Sequence, residues 1–435
     1  MKRQLIAAVG VAAMVVGVAA CSSDGDKTSD AGKATGGSSK AADYSGKTLT
    51  VWFMDGSNPK QWTTDLTAAF EKQYPGAKLK IEVQGWNGIG QKVTTALSED
   101  TPPDVLEIGN TQTASYAATG GLMDLTADKS SLGGDNWAEN LNKASVYDGK
   151  QYAAPWYFAN RVVIYNKKLW SKAGLSDTPK TLDEFYDDLG KLNKTSGVDQ
   201  ALYLPGQEWY TYFGLVLSEG GSVAQLSGDK WVGALDTPAA KAAFQTYAKL
   251  QSFSKAPKDK DEATPQQSDV FAKGNVGAMI GLGWEAGGAI TANPALKDDI
   301  GYFPLPSKEA GKPAGVFLGG SNLAISANSK NPELAKGFLK LALSDQFEGA
   351  MAKEAGIVPN NPQLNDQAKD NPFAVAAIAA SASGATTPGV PEWAAVENTP
   401  NPIKDFLTAA LQGKDYDSTA KKYDDEMNKR LSQKQ

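Results

Sequence analysis

Thr48-Leu49-Thr50-Val51-Trp52-Phe53, followed by the turn-rich Met54-Asp55-Gly56-Ser57-Asn58-Pro59, opens the segment from which the fold is read. The first six residues are β-branched and aromatic, as a buried strand requires. From Trp62 to Tyr74, Leu66, Ala69 and Phe70 recur at helical spacing, and Pro75-Gly76 stops the run. Lys78 to Gln84 then alternates, with Leu79, Ile81 and Val83 on one face. Ile89 to Leu97 reads as helix, and Pro102-Pro103-Asp104 leads into the strand Val105-Leu106-Glu107-Ile108. Strand, helix, strand, helix, strand is α/β order and predicts a largely parallel sheet. The same order resumes with a strand over Arg161–Tyr165 and a helix over Thr181–Leu192, capped by Thr181 with Glu184 three residues on. Strands are expected at Val276–Leu282 and Leu323–Ile325, and a helix at Pro332–Leu343 with proline in its first turn. Ala376–Arg430 reads as mostly helical, broken by Pro388, Pro391, Pro400 and Pro402. No GxGxxG or Walker pattern occupies a strand-to-helix turn, so nucleotide binding gains no support.

The N-terminus has its own grammar. Met1-Lys2-Arg3 precedes an apolar run from Leu5 to Ala20, then Cys21. A short basic region, an apolar core and small residues form a secretory signal. The run is shorter than the roughly 20 residues a transmembrane helix needs. Val18-Ala19-Ala20-Cys21 resembles a bacterial lipobox, which implies cleavage before Cys21 and acylation of its thiol. Cys21 is the single cysteine of the chain. Residues 1–20 are therefore expected to be signal peptide. Residues 21–46 are expected to be a lipidated flexible tether, too polar to offset their chain entropy by burial.

Loss of Lys2 and Arg3 leaves 41 basic against 49 acidic side chains, a net charge of −8. That balance argues against a nucleic-acid partner, which calls for a basic patch. The chain has no histidine, which removes the commonest general base and the usual zinc ligands. No metal or cofactor is expected. The body beyond residue 46 is too long for one ordinary core, so two lobes are expected.

Several segments together resemble the extracellular solute-binding lipoproteins of ABC transporters, of the maltose-binding type. They are Tyr152-Ala153-Ala154-Pro155-Trp156-Tyr157, Val163-Ile164-Tyr165-Asn166-Lys167-Lys168-Leu169-Trp170, Pro103-Asp104-Val105, Phe271-Ala272-Lys273-Gly274 before Gly277–Gly281, and Glu333–Leu339. Trp86-Asn87-Gly88-Ile89, Glu107–Thr113, Phe317–Asn322 and Pro391–Asn398 are similar to actinobacterial chitooligosaccharide-binding members, which take up N,N′-diacetylchitobiose. The resemblance implies a two-lobed, type II periplasmic-binding-protein-like α/β fold with a hinge and a central ligand cleft. Expected boundaries are 47–157 plus 285–335 for lobe 1, and 158–284 plus 336–435 for lobe 2. The crossings are placed near Tyr157–Asn160, near Gly283–Glu285, and in or just after the Glu333 helix. The resemblance further implies a monomer on the outer face of the cell membrane, anchored through Cys21, that captures a small oligosaccharide and delivers it to an ABC permease.

A pyranose has apolar C–H faces and a rim of hydroxyls, so its site needs flat aromatic surfaces and a few placed polar groups. Trp284 follows the Ala278–Leu282 strand directly, where ligands bind in open α/β sheets, and Glu285 adjoins it. Trp393 in Pro391-Glu392-Trp393 stands where the family places a stacking aromatic. Trp209 and Tyr210 occupy a loop before a helix, and one of the two is expected on the sugar. Trp86 and Tyr157 are candidates weighed against packing at the lobe boundary. The polar candidates lie after strands: Asp55 and Ser57, then Asn110, Thr111 and Gln112, then Gly319, Gly320 and Ser321, whose glycines permit close backbone approach. For Asp55 and Asn110 the alternative is a turn-forming role. Asn166 and Arg161 read as frame residues, and Trp52, Trp62, Trp137, Trp170 and Trp231 as packing or surface.

Other readings are a disaccharide such as cellobiose or maltose on the same fold, and a glycoside hydrolase using two carboxylates among Glu107, Glu285, Glu392 and Asp55. No hydrolase motif accompanies them. An anionic solute would need converging Arg or Lys, and the chain beyond residue 20 has two arginines, Arg161 and Arg430.

Overall fold

A computed structural model describes residues 44–433. The signal segment, Cys21 and nearly all of the tether lie outside the described residues. Along the chain come β1 (Thr48–Met54), β2 (Lys78–Gln84), β3 (Val105–Gly109) and β4 (Ala154–Ala159). Then follow β5 (Val162–Asn166), β6 (Gln200–Tyr203), β7 (Val276–Gly281) and β8 (Ile300–Phe303). The strands β9 (Gly319–Ile325) and β10 (Val358–Pro359) close the set. They build two main sheets, in the orders β10-β4-β9-β3-β1-β2 and β8-β5-β7-β6. Each sheet is the centre of one lobe.

The opening segment folds as its periodicity predicts. β1 pairs in parallel with β2 and with β3, linked by α1 (Lys60–Gln73) and α2 (Ile89–Leu97). The α1 stripe Trp62, Leu66 and Phe70 is buried with Leu49, Val51 and Phe53 of β1. On the opposite face, Val93 and Leu97 of α2 pack with Leu106 and Ile108 of β3. Two-sided cover is what lets a parallel sheet form. The cap expected at Thr181 is also present: its hydroxyl accepts the Glu184 N–H at 3.2 Å.

Both sheets are mixed rather than largely parallel. β9 runs antiparallel to β3 and β4, and β5 runs antiparallel to β7 and β8. The reason is the route of the chain. β4 and β5 are separated only by Asn160 and Arg161, so the chain leaves one sheet and enters the next there. A strand that returns to the first sheet from the cleft side must run opposite to strands whose carboxyl ends already point to the cleft.

Two of the expected crossings fall elsewhere. The chain does not leave the second lobe at Glu285: Ala286 and Ala289 are buried with Val276 and Ile300, and β8 pairs with β5. The return comes between Phe303 and Gly319. Nor does the last crossing follow the Glu333 helix. The helices Pro332–Ala342 and Asp345–Ala355 bury Leu334, Phe338, Phe347 and Met351 with Leu49 and Phe53 of the first lobe, and β10 adds to its sheet. The helix Pro372–Ser381 spans the two bodies, with Ala374 in the first-lobe core and Ala376 beside Ile164 and Met279. Trp393, Ile403, Phe406 and Met427 then join the second-lobe core with Phe185 and Tyr212. Apolar surface, not chain order, assigns each helix to its lobe.

Candidate functional site

Between the lobes lies a cleft of about 520 Å³, inside the size range of small-molecule sites. The carboxyl ends of β1, β2 and β3 make its first wall. Asp55 and Ser57 follow β1, Trp86 follows β2, and Asn110, Thr111 and Gln112 follow β3, all lining the cleft. From the second lobe come Tyr210, in the first turn of α3 (Trp209–Ser218), and Trp284, in the first turn of α4 (Gly283–Ala292). Tyr157, Gly319, Gly320 and Ser321 line the region between.

Among the ten tryptophans, Trp86 and Trp284 are the exposed ones, at 48% and 51%. One stands on each wall. Trp86 is oriented by its indole N–H, which donates to the Asp55 carbonyl at 3.1 Å. An indole left half bare in a concave site has a free face for an apolar partner.

Trp209, Trp393 and Glu285 do not line the cleft. Trp209 and Trp393 are fully buried in the second-lobe core. Trp209 packs behind Tyr210, ring centroids 4.2 Å apart. Tyr210 reaches the cleft, but its ring is already packed by Phe317 at 4.9 Å and by the Arg161 guanidinium at 4.5 Å. Its hydroxyl, not its face, is what it offers.

Glu285 is inaccessible because it closes the start of α4. Its carboxylate accepts the Leu282 N–H at 2.7 Å and the Gln267 amide at 2.7 Å. Burial pushes its pKa up from 4.5 to about 7, against the pull of nearby Arg161. A raised carboxyl pKa gives stability that is complete below the unfolded value and lost as pH rises through the folded one. The window is therefore about pH 4.5 to 7, and the effect reaches roughly 3 kcal/mol. Glu285→Gln, unable to ionise, is expected to make this part of the profile less steep, with Asp424, whose pKa burial also raises to about 7, still titrating in it. Melting temperatures of both proteins across the window check it; parallel profiles would exclude Glu285 as the source.

Gly319, Gly320 and Ser321 are not a loop but the first residues of β9, paired with Ala159, Phe158 and Tyr157. Gly320 has φ +144°, and a Cβ there would collide with the Tyr157 carbonyl, so only glycine suits the position.

Of the cleft residues that were not among the expected ligand contacts, four polar ones bear on its chemistry. Glu107, in β3, is 1% exposed yet lines the cleft. It accepts Met54 N–H at 2.7 Å, Ser57 Oγ–H at 2.7 Å, Ser321 Oγ–H at 2.6 Å and Tyr157 O–H at 3.0 Å. Burial raises its pKa, and these donors work against the rise. Arg161, read as frame, sits at the lobe crossing, 2.7 Å from Glu208 and 3.1 Å from Glu262. Glu397 accepts from Trp393 Nε1 at 3.2 Å, Tyr210 O–H at 3.3 Å and Gln112 Nε2 at 3.5 Å. Gln112 belongs to the first wall, so Glu397 ties the walls together. Asn398 adjoins it on the cleft. Glu107 carried a visible signal, a charge inside an apolar strand; Glu397 and Asn398 were marked only by lying in the Pro391–Asn398 segment.

The model of the bacterial extracellular solute-binding protein family matches residues 55–348. The chain is 56% identical over 435 residues, all of both chains, to the diacetylchitobiose binding protein DasA of Streptomyces coelicolor. It is 26% identical to the maltodextrin-binding protein MdxE of Bacillus subtilis, covering 88% of this chain and 87% of that one. Among solved structures, the GacH receptor of Streptomyces glaucescens, determined unliganded and with acarbose, superposes with a TM-score of 0.77 at 22% identity over 89% of this chain and 99% of that one. The sugar-binding protein MalE of Xanthomonas citri superposes with 0.76 at 20% identity, over 89% and 98%. Two lobes, a cleft at the carboxyl ends of parallel strands, and a family match over most of its length agree: this chain belongs to the bacterial extracellular solute-binding proteins.

Proposed function

We propose that the protein is the extracellular sugar-binding component of an ABC importer, and that its cargo is N,N′-diacetylchitobiose. The observation that carries this reading is the identity of 56% over the full length to a diacetylchitobiose binding protein. The cleft chemistry supports it. Exposed Trp86 and Trp284 suit the apolar faces of two sugar rings, one from each lobe. Asn110, Thr111, Gln112 and the hydroxyl cluster at Ser57, Tyr157 and Ser321 suit hydroxyl and acetamido groups, which both donate and accept. The one cleft arginine is already neutralised by Glu208 and Glu262, which disfavours an anionic solute.

Contacts from both lobes favour the closed form when sugar is bound. The protein acts by binding and release rather than catalysis. It works as a monomer, held to the outer face of the membrane through acylated Cys21, and passes the sugar to a membrane permease.

Calorimetric titration with N,N′-diacetylchitobiose, cellobiose, maltose and N-acetylglucosamine tests the cargo. One-to-one binding of diacetylchitobiose in preference to the others, with the sugar recovered intact, is expected. Preference for another disaccharide would discard the cargo and keep the transport role. Release of N-acetylglucosamine would overturn the non-catalytic reading.

A further inference from the structure

Three hydroxyls in the cleft converge on a single oxygen. Ser321 Oγ, Ser57 Oγ and the Tyr157 hydroxyl lie 2.6, 2.7 and 3.0 Å from Glu107 Oε1. Ser57 Oγ and Ser321 Oγ are also 2.9 and 3.2 Å from the Tyr157 oxygen. The other carboxylate oxygen, Oε2, accepts the backbone N–H of Met54 at 2.7 Å. Each hydroxyl has one proton and two lone pairs. Hydroxyl contacts to an ionised carboxylate fall at about 2.5–2.7 Å, where the two serine contacts are found.

From this geometry we infer that Glu107 is a specificity-determining residue: by drawing the protons of Ser57, Tyr157 and Ser321 onto itself, it leaves the cleft floor able only to accept hydrogen bonds. The floor then selects a ligand that presents an O–H or N–H there and rejects one that presents an ether, a carbonyl or a fluorine. The inference rests on the reading of this cleft as a sugar site, because it assumes a ligand edge rich in hydroxyl and amide donors. Glu107 itself is 1% exposed, so it acts through the hydroxyls as a positioning residue.

The substitution Glu107→Gln inverts the arrangement at nearly constant shape. The Met54 N–H is a fixed donor, so it keeps the glutamine carbonyl on its side. The amide NH₂ then faces the three hydroxyls and, having two protons, donates to two of them. Their own protons are released towards the cleft, and the floor becomes a donor.

The test is calorimetry of wild type and Glu107→Gln against N,N′-diacetylchitobiose and a series of analogues. In each analogue one hydroxyl is replaced by fluorine or one acetamido N–H by an ester oxygen. In wild type at least one replacement is expected to weaken binding by about tenfold or more, as for a site whose polar groups are left unpaired. In Glu107→Gln the parent sugar is expected to bind about tenfold more weakly, and the penalty for that same replacement to shrink to about threefold or less. An unchanged analogue profile in a variant with native melting behaviour would overturn the inference. Infrared difference spectra between the two proteins at neutral pH give a reading that needs no ligand. Loss of a carboxylate doublet supports the proton-drawing role; loss of a protonated carboxyl band refutes it. Should wild type bind none of the sugars, the cargo assignment falls, and the infrared result still decides the state of the floor.

Discussion

Trp284→Ala is expected to weaken diacetylchitobiose binding by about 2 kcal/mol, roughly thirtyfold, while leaving the fold intact. The indole is half exposed, at 51%, so its removal strips a face from the cleft without opening a cavity in the core. Trp86→Ala is expected to act in the same direction from the opposite wall, with a further effect on the Asp55 carbonyl that the indole N–H holds. Calorimetry gives the affinity and thermal melting the stability. Unchanged affinity in a normally melting Trp284→Ala variant would remove this residue from the sugar site.

Trp393→Ala is expected to fail in the opposite way. The side chain is fully buried among the second-lobe core residues. Its truncation leaves a large void and deprives Glu397 of the indole N–H at 3.2 Å. Loss of a buried aromatic costs about 3–5 kcal/mol. The expected result is a marked fall in the denaturation midpoint. A variant that unfolds like wild type but binds sugar tens of times more weakly would return the indole to the ligand and contradict the core placement.

These two residues mark the limit of what a local reading supplies. Both stand in the first turn of a helix, Trp284 in α4 and Trp393 at the start of Trp393–Glu397. Trp284 was legible because it directly follows a buried strand, and strand ends in α/β sheets face the cleft. Trp393 and Trp209 have no such marker. Whether their rings turn inward is set by the packing of α3 against helices far along the chain, including Pro402–Leu411. Glu285 shows the same limit: a carboxyl beside an exposed tryptophan reads as a ligand group, yet it bonds back to Leu282 and Gln267. Glu107 was visible as an anomaly in an apolar strand, but its three hydroxyl partners come from three separate strands or strand ends, and only folding brings them together.

Residue order alone determined the α/β class, the parallel β1-β2-β3 core and the helices between, because periodicity and turn residues act within a few positions of themselves. It also narrowed the chemistry, since a chain with no histidine lacks the commonest general base and the usual zinc ligand. Tertiary structure decided the antiparallel entry of β9, the two crossings after Phe303 and beyond β10, and which tryptophans face the cleft. Those outcomes depend on apolar surfaces meeting across long sequence separations, and a buried ring and a ligand-facing ring are the same residue until that packing is known.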